Sequence, residues 1–260
     1  MLLKKILTII VLLALTGVGS TIPSNIISDP PPKDNVINVD DITGNLSARC
    51  ETALVRIFTG LEFLACVPIQ ALLSLVPIIS EIGNIKKNPR ELLQYLSSID
   101  QFSNGICLAP KYSDKGVQSV IQTIENECIT DLNNNNTFVE LIFSLAVFYS
   151  PLRDSICFKN NDVFCIHETA DITLNYINGN NIIDAIAVAE PEHVCTQCNK
   201  DIINTFDNFL KNNPLALQAL SRAGFNQTHI DTMKTGVAVK CGIKFEDGEV
   251  PDNLHNEIIF

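Results

Sequence analysis

Nine cysteines most constrain what this chain can become: Cys50, Cys66, Cys107, Cys128, Cys157, Cys165, Cys195, Cys198 and Cys241. How they are read depends on the first twenty residues. Lys4 and Lys5 precede the apolar run ILTIIVLLALTGV, and the small residues Gly17, Gly19 and Ser20 follow. That succession of basic, apolar and small residues is the pattern of a secretory signal peptide, with cleavage expected after Ser20. The run is short for a membrane helix of about 20 residues, so no stable transmembrane span is expected after cleavage. An oxidising secretory route lets disulfides form and persist, and an odd count leaves one cysteine over.

Sequence does not choose among the hundreds of pairings that nine cysteines allow, but geometry removes some. Cys50 and Cys66 fall near opposite ends of a helix expected over 46–65, about 24 Å apart at 1.5 Å per residue. A disulfide needs its Cα atoms within about 7 Å, so these two should not pair. Cys157 and Cys165 flank the polar turn FKNNDVF and form the best local pair. Cys198 with Cys241 is the next choice, with Cys195 reaching elsewhere.

The stretch from Val194 to Cys241 carries the clearest helices. Cys198, Ile202, Phe206, Phe209 and Leu210 recur at intervals of three and four, placing Asn199, Lys200, Asn204, Asp207 and Lys211 on the outward face. Asn213 caps a second helix that Pro214 opens. Its Leu217 and Leu220 face inward, and Gly224 supplies a left-handed stop. A third helix buries Ile230, Met233 and Val237 on the way to Cys241.

Similar stripes run through the rest of the chain. Cys50, Leu54, Ile57, Phe58 and Leu61 form one, and Leu92, Leu93, Leu96 and Ile99 another. Val117, Val120, Ile121, Ile124 and Cys128 give a further helix. The segment 137–149, TFVELIFSLAVFY, is apolar nearly all round and belongs in the middle of the bundle, stopped by Pro151. The most apolar internal run, FLACVPIQALLSLVPII over 63–79, is interrupted by Pro68 and Pro77 and reads as a buried helix, because in lipid the prolines would free backbone groups that nothing satisfies. A weaker helix is expected over 163–177. No segment alternates as a strand does, so the expected fold is all-α: a disulfide-linked bundle of about seven to nine helices. Its expected limits are 44–243, with a disordered leader over 21–43 and an acidic flexible tail over 244–260. The segment beginning at Ile106 echoes that at Val194, each a cysteine loop feeding an amphipathic helix, which suggests halves at 44–150 and 151–243.

The chain of 260 residues is 46% hydrophobic, enough for a substantial core, and acidic. Loss of Lys4 and Lys5 with the signal takes the net charge from −11 to −13, which repels phosphate backbones and disfavours nucleic acid. Candidate chemistry is sparse. Cys195 and Cys198 form a CxxC beside His193, half of what a structural zinc site requires, while a redox CxxC normally follows a strand that this sequence does not offer. Disulfide bonding is the preferred reading of both. His167 and Glu168 could serve acid and base chemistry, but a surface pair on a helix is the simpler reading, and Asp40 and Asp41 lie in the leader, where nothing fixes their geometry. With no GxSxG, HExxH or phosphate-cradling glycine loop, no catalytic residue, metal ligand or cofactor is assigned. Asn45, Asn135 and Asn226 head N-glycosylation sequons.

The helix after Cys50, the CxxC opening a helix at VCTQCNKDIINTFDNF and the segment PLRDSICF resemble secreted, cysteine-rich, all-helical fungal proteins of unassigned function over Cys50 to Cys241. That resemblance implies no catalytic residues. Cys195 and Cys198 opening an amphipathic helix also resemble the start of a saposin-like domain, which implies lipid binding, although the six-cysteine order of that family is not reproduced here. The leading expectation is a noncatalytic secreted protein, a cell-surface or wall-associated interaction module or effector whose partner outside the cell is a protein, glycan or lipid. The alternatives are lipid binding through 63–79 and 137–149, and a hydrolase or thiol oxidoreductase of unrecognised type.

Overall fold

The structure, a computed structural model, describes residues 46–80, 89–168, 188–222 and 227–251. Residues 1–20, read from sequence as a signal peptide, the expected leader with Asp40 and Asp41, the sequon asparagines Asn45 and Asn226, Gly224, most of the weak helix expected over 163–177 and residues 252–260 lie outside them. The all-α expectation holds. Thirteen α-helices are present among the described residues, more than the seven to nine expected, because turns and prolines divide several apolar stripes into shorter pieces.

The helix expected over 46–65 is two: α1 (Ala48–Phe58) and α2 (Leu61–Cys66), parted at Thr59 and Gly60. Ser47 caps α1, its Oγ accepting from the Cys50 amide, and is itself held by Asp131, which accepts from the Ser47 N–H at 2.8 Å and its hydroxyl at 2.6 Å. The apolar run over 63–79 is likewise not one buried helix. It folds as the end of α2, then α3 (Ile69–Leu73) and α4 (Val76–Ser80), with Pro68 at the first break. No helix among the described residues is long and apolar enough to cross a membrane. A 3-10 helix at Pro89–Tyr95 leads into α5 (Leu96–Leu108). Gly105 lets α3 approach closely: a Cβ there would lie 2.6 Å from that of Ala71.

Next come α6 (Asp114–Glu127), capped by Ser113, and the short α7 (Ile129–Asn133). In α8 (Thr137–Val147) the Asn136 side chain accepts from the amides of Phe138 and Val139. The central position expected of this segment is observed, with Val139, Ile142 and Phe143 buried. Pro151 does not stop it. The helix ends at Val147, and Pro151 sits in the first turn of α9 (Tyr149–Cys157), where the missing N–H is an orphan in any case. The main core joins α1, α6 and α8 to residues Ala216 and Ala219, so it draws on both sides of the boundary expected at 150.

The cysteines pair as Cys50–Cys128, Cys107–Cys157, Cys165–Cys198 and Cys195–Cys241, and Cys66 is free and buried. The exclusion of Cys50–Cys66 stands; the two preferred pairs do not. Cys157 and Cys165 are not joined because the turn between them is a small hairpin, β1 (Lys159–Asn160) against β2 (Val163–Phe164), with Asn161 and Asp162 at positive φ. Its register pairs Lys159 with Phe164 and carries the Cys165 amide to the Phe158 carbonyl. Cys157 is thus one residue out of step with Cys165, and turns instead to Cys107 at the end of α5.

Cys198 and Cys241 are not joined either. Cys198 lies at the start of α11 (Gln197–Asn212), packed on Phe158 and Cys165. Cys195, just after α10 (Pro191–Val194), is the one beside the end of α13 (Gln227–Cys241).

Two burial expectations are corrected as well. In α12 (Pro214–Arg222) the small Ala216 and Ala219 meet α8, whereas Leu217 is 40% exposed. On α11 the face expected in solvent is buried at Asn199, whose amide donates to the His193 carbonyl, and at Asn204 and Asp207, where the start of the expected loose tail packs. Phe245 is buried within a 3-10 helix, and the Asn204 amide donates to the Phe245 carbonyl, the Asp247 carboxylate and the Glu249 carbonyl. Burial pushes the Asp207 carboxyl upward, but hydrogen bonds from Lys211 and Lys234 outweigh it and hold the group below its usual range. Glu246, whose buried oxygen lacks a partner, is pushed the other way by burial. Polar partners therefore seat this segment at least to Glu249.

Candidate functional site

The feature that the helices build together is an apolar pocket of about 220 Å³, partly open to solvent, between α1, α2, α5, α6, α8 and α9. Helical spacing supplies its walls. Tyr149, Leu152, Arg153 and Ile156 recur at three and four along α9, as do Ile142, Leu145 and Ala146 along α8. Val117 and Val120 come from α6, and Phe102 and Ile106 from α5. Ile57 and Phe58 of α1 and Phe63 of α2 complete the rim, where Phe58 and Phe63 meet edge to face with ring centroids 5.5 Å apart.

Two polar groups along this wall are turned to protein partners. The Tyr149 hydroxyl accepts from the Tyr112 N–H at 2.9 Å, and the Arg153 Nη2 donates to the Ala109 carbonyl at 2.8 Å. The Arg153 Nε is buried without a partner. Beside it, Asp154 is engaged by Lys111 at 3.0 Å. The free Cys66 lies between two lining residues in sequence, Phe63 and Val67; burial first, and then the charge of Glu62, push its thiol up. Burial raises the Tyr149 and Tyr112 hydroxyls too. These groups stay neutral at ordinary pH, so the site has no activated thiolate or phenolate nucleophile.

None of the residues considered for chemistry lines this pocket. His167 Nε2 is 2.6 Å from Asp100 Oδ1 rather than paired with Glu168, whose Oε2 is buried without a partner. Cys195 and Cys198 belong to two different disulfides, so the CxxC is neither a vicinal redox pair nor half of a thiolate metal site. Among the described residues no three His, Cys, Asp or Glu side chains converge as a metal would require. The segments 63–79 and 137–149, singled out from sequence for lipid contact, do supply Phe63, Val67, Ile142, Leu145, Ala146 and Tyr149 to the pocket. The contributions of α5, α6 and α9 went unrecognised. On α6 and α9 the lining residues Val117, Val120, Leu152 and Ile156 are half-buried, whereas Phe102 and Ile106 of α5 are buried.

A family model described as a domain of unknown function, DUF7729, matches residues 34–250. The chain belongs to the DUF7729 family. No curated protein and no solved structure matches it. The DUF7729 match takes in all nine cysteines and every lining residue of the pocket, and it ends within the segment that Asn204 holds.

Proposed function

We propose that this DUF7729 protein is a noncatalytic secreted binding protein whose ligand is a small, neutral, predominantly hydrocarbon molecule held in the pocket. The open apolar cavity inside a cross-linked bundle carries this reading. An apolar cavity of about 150 Å³ holds benzene; by proportion, 220 Å³ takes roughly nine carbons, and its open side leaves room for the end of a slightly longer chain. That suits one medium-length chain or a pair of rings and is too small for both chains of a phospholipid. Apart from the Arg153 guanidinium, which is spent in part on the Ala109 carbonyl, the wall offers no charged group to an incoming ion, and a carboxylate placed away from it would lose its hydration without compensation. A charged end is therefore expected to stay at the mouth.

Displacement of a neutral two-ring fluorophore, naphthalene, tests the proposal. Ten methylene-sized groups at about 0.8 kcal/mol each, less an association cost of about 4 kcal/mol, put the Kd of 1-decanol at about 1 mM. Decanoate should compete more weakly. Absence of displacement by either compound would sink the reading, and tighter binding of decanoate would assign its head to Arg153 instead.

Secretion rests on the signal-like first twenty residues and on four disulfides, which an oxidising compartment maintains. Among the sequon asparagines, Asn135 is exposed in a turn at φ 55°, open to glycan attachment. The intact mass of protein recovered from culture medium, before and after enzymatic deglycosylation, should show loss of residues 1–20 and a glycan that Asn135→Gln reduces. A product retained in the cell with its N-terminus whole would refute this part.

A further inference from the structure

Resting on that reading of the pocket, we infer that α2 is a gate over its mouth, latched by Glu62 to the start of α6 and free to swing because no disulfide holds it. The cross-links leave this segment alone. Cys50 ties α1 to the end of α6, Cys107 ties α5 to α9, and the only cysteine between them, Cys66 at the end of α2, is unbonded. The helix is six residues long, starts at Gly60 without a side-chain cap and ends at Val67. Its outer residues face solvent, with Leu61 88% and Leu64 49% exposed. What holds its inner side is the Phe63 ring against Phe58 and the Glu62 carboxylate, whose Oε1 accepts from the Ser113 N–H at 2.8 Å.

Gly116 makes room for that latch. A Cβ at this position would stand 2.4 Å from Glu62 Oε2 and 2.5 Å from the Tyr112 ring, so a side chain there would drive the carboxylate off the Ser113 amide. Glu62, Ser113 and Gly116 thus form a closure joining α2 to α6 directly beside Val117, a lining residue of the pocket. Opening would uncover Cys66, which is 3% exposed when the gate is shut.

The free thiol therefore reports on the gate in the intact secreted protein. Cys66 should react slowly with 5,5′-dithiobis(2-nitrobenzoate), and at the same pH Glu62→Ala and Gly116→Ala should each react about three- to tenfold faster, the range expected for loss of one hydrogen bond. Gly236→Ala, where an added Cβ meets nothing within 4 Å, should react at the wild-type rate. Alanine improves helix propensity at both glycines, so faster labelling of Gly116→Ala without a fall in Tm separates gate opening from general destabilisation. Wild-type rates in both gate variants, equal acceleration in Gly236→Ala, or immediate reaction of the wild-type thiol would each overturn the gate. If Gly116→Ala fails to fold, Glu62→Ala decides, its rate compared with wild type per thiolate from the pH profile of labelling, because loss of the Glu62 charge by itself eases ionisation of Cys66. Added 1-decanol should slow the reaction; if the variants accelerate it but decanol has no effect, the gate stands and the pocket reading falls.

Discussion

Replacing Cys50 and Cys128 together by alanine is expected to lower the free energy of unfolding by about 4.5 kcal/mol, the largest stability loss of any single cross-link in the protein. The two residues are 78 apart in sequence, the widest of the four spans, and the entropy that a cross-link removes from the unfolded chain grows with the logarithm of the loop it closes. The same relation gives about 3.7 kcal/mol for Cys165–Cys198, whose residues are 33 apart. Environment acts in the same direction. Both members of the longer bridge are fully buried within the main core, between α1 and α6, so its removal also loosens the contact of Leu54 and Ile57 with Ile121 and Ile124. At roughly 2–4 °C per kcal/mol for a domain of this size, the double variant should melt some 10–15 °C lower. Urea unfolding of both double-alanine variants beside the wild type checks this. A loss under about 2 kcal/mol, or a larger loss for the shorter bridge, would show that the cross-links act through something other than the unfolded chain.

How much of this was legible in the sequence depends on the range of the interaction. Helix existence is local, and the stripes at Cys50 to Phe58, Val117 to Cys128 and Cys198 to Leu210 became helices with caps at Ser47, Ser113 and Thr196. Inward faces were harder to read. Asn204 looks like a solvent residue on any pattern, and only the return of the chain at Phe245 to Glu249 gives its amide three acceptors. Ala216 and Ala219 outrank Leu217 in burial because α8 comes close enough to admit only small side chains. The disulfides failed for a related reason. A one-residue offset in a two-residue hairpin separates Cys157 from Cys165, and periodicity does not carry that offset. The pocket was half legible: two of its contributing segments were notable for their apolarity, but a cavity is a deficit of packing among six helices, and no single stretch encodes it.

Filling that deficit should abolish binding while leaving the fold intact. Ala146 lies on α8, half-buried, with Leu145 and Ile142 beside it in the wall. Ala146→Phe adds a six-carbon ring, and since benzene fills an apolar cavity of about 150 Å³, the ring would take most of the 220 Å³ present. Too little space then remains for a ten-carbon ligand, and displacement by 1-decanol should weaken at least tenfold. Stability should move the other way. The ring gains burial in space that is already empty and partly open, without displacing a packed neighbour, so a gain of about 0.5–2 kcal/mol is expected, as for other cavity-filling changes. A loss of affinity coupled to a loss of stability would be ordinary damage to the core. Loss of affinity with an unchanged or higher Tm assigns the ligand to this cavity, because only there do the same atoms both tighten the bundle and exclude the guest. Undiminished decanol binding by a folded Ala146→Phe would place the ligand elsewhere and end the claim that this space is what the bundle is built to offer.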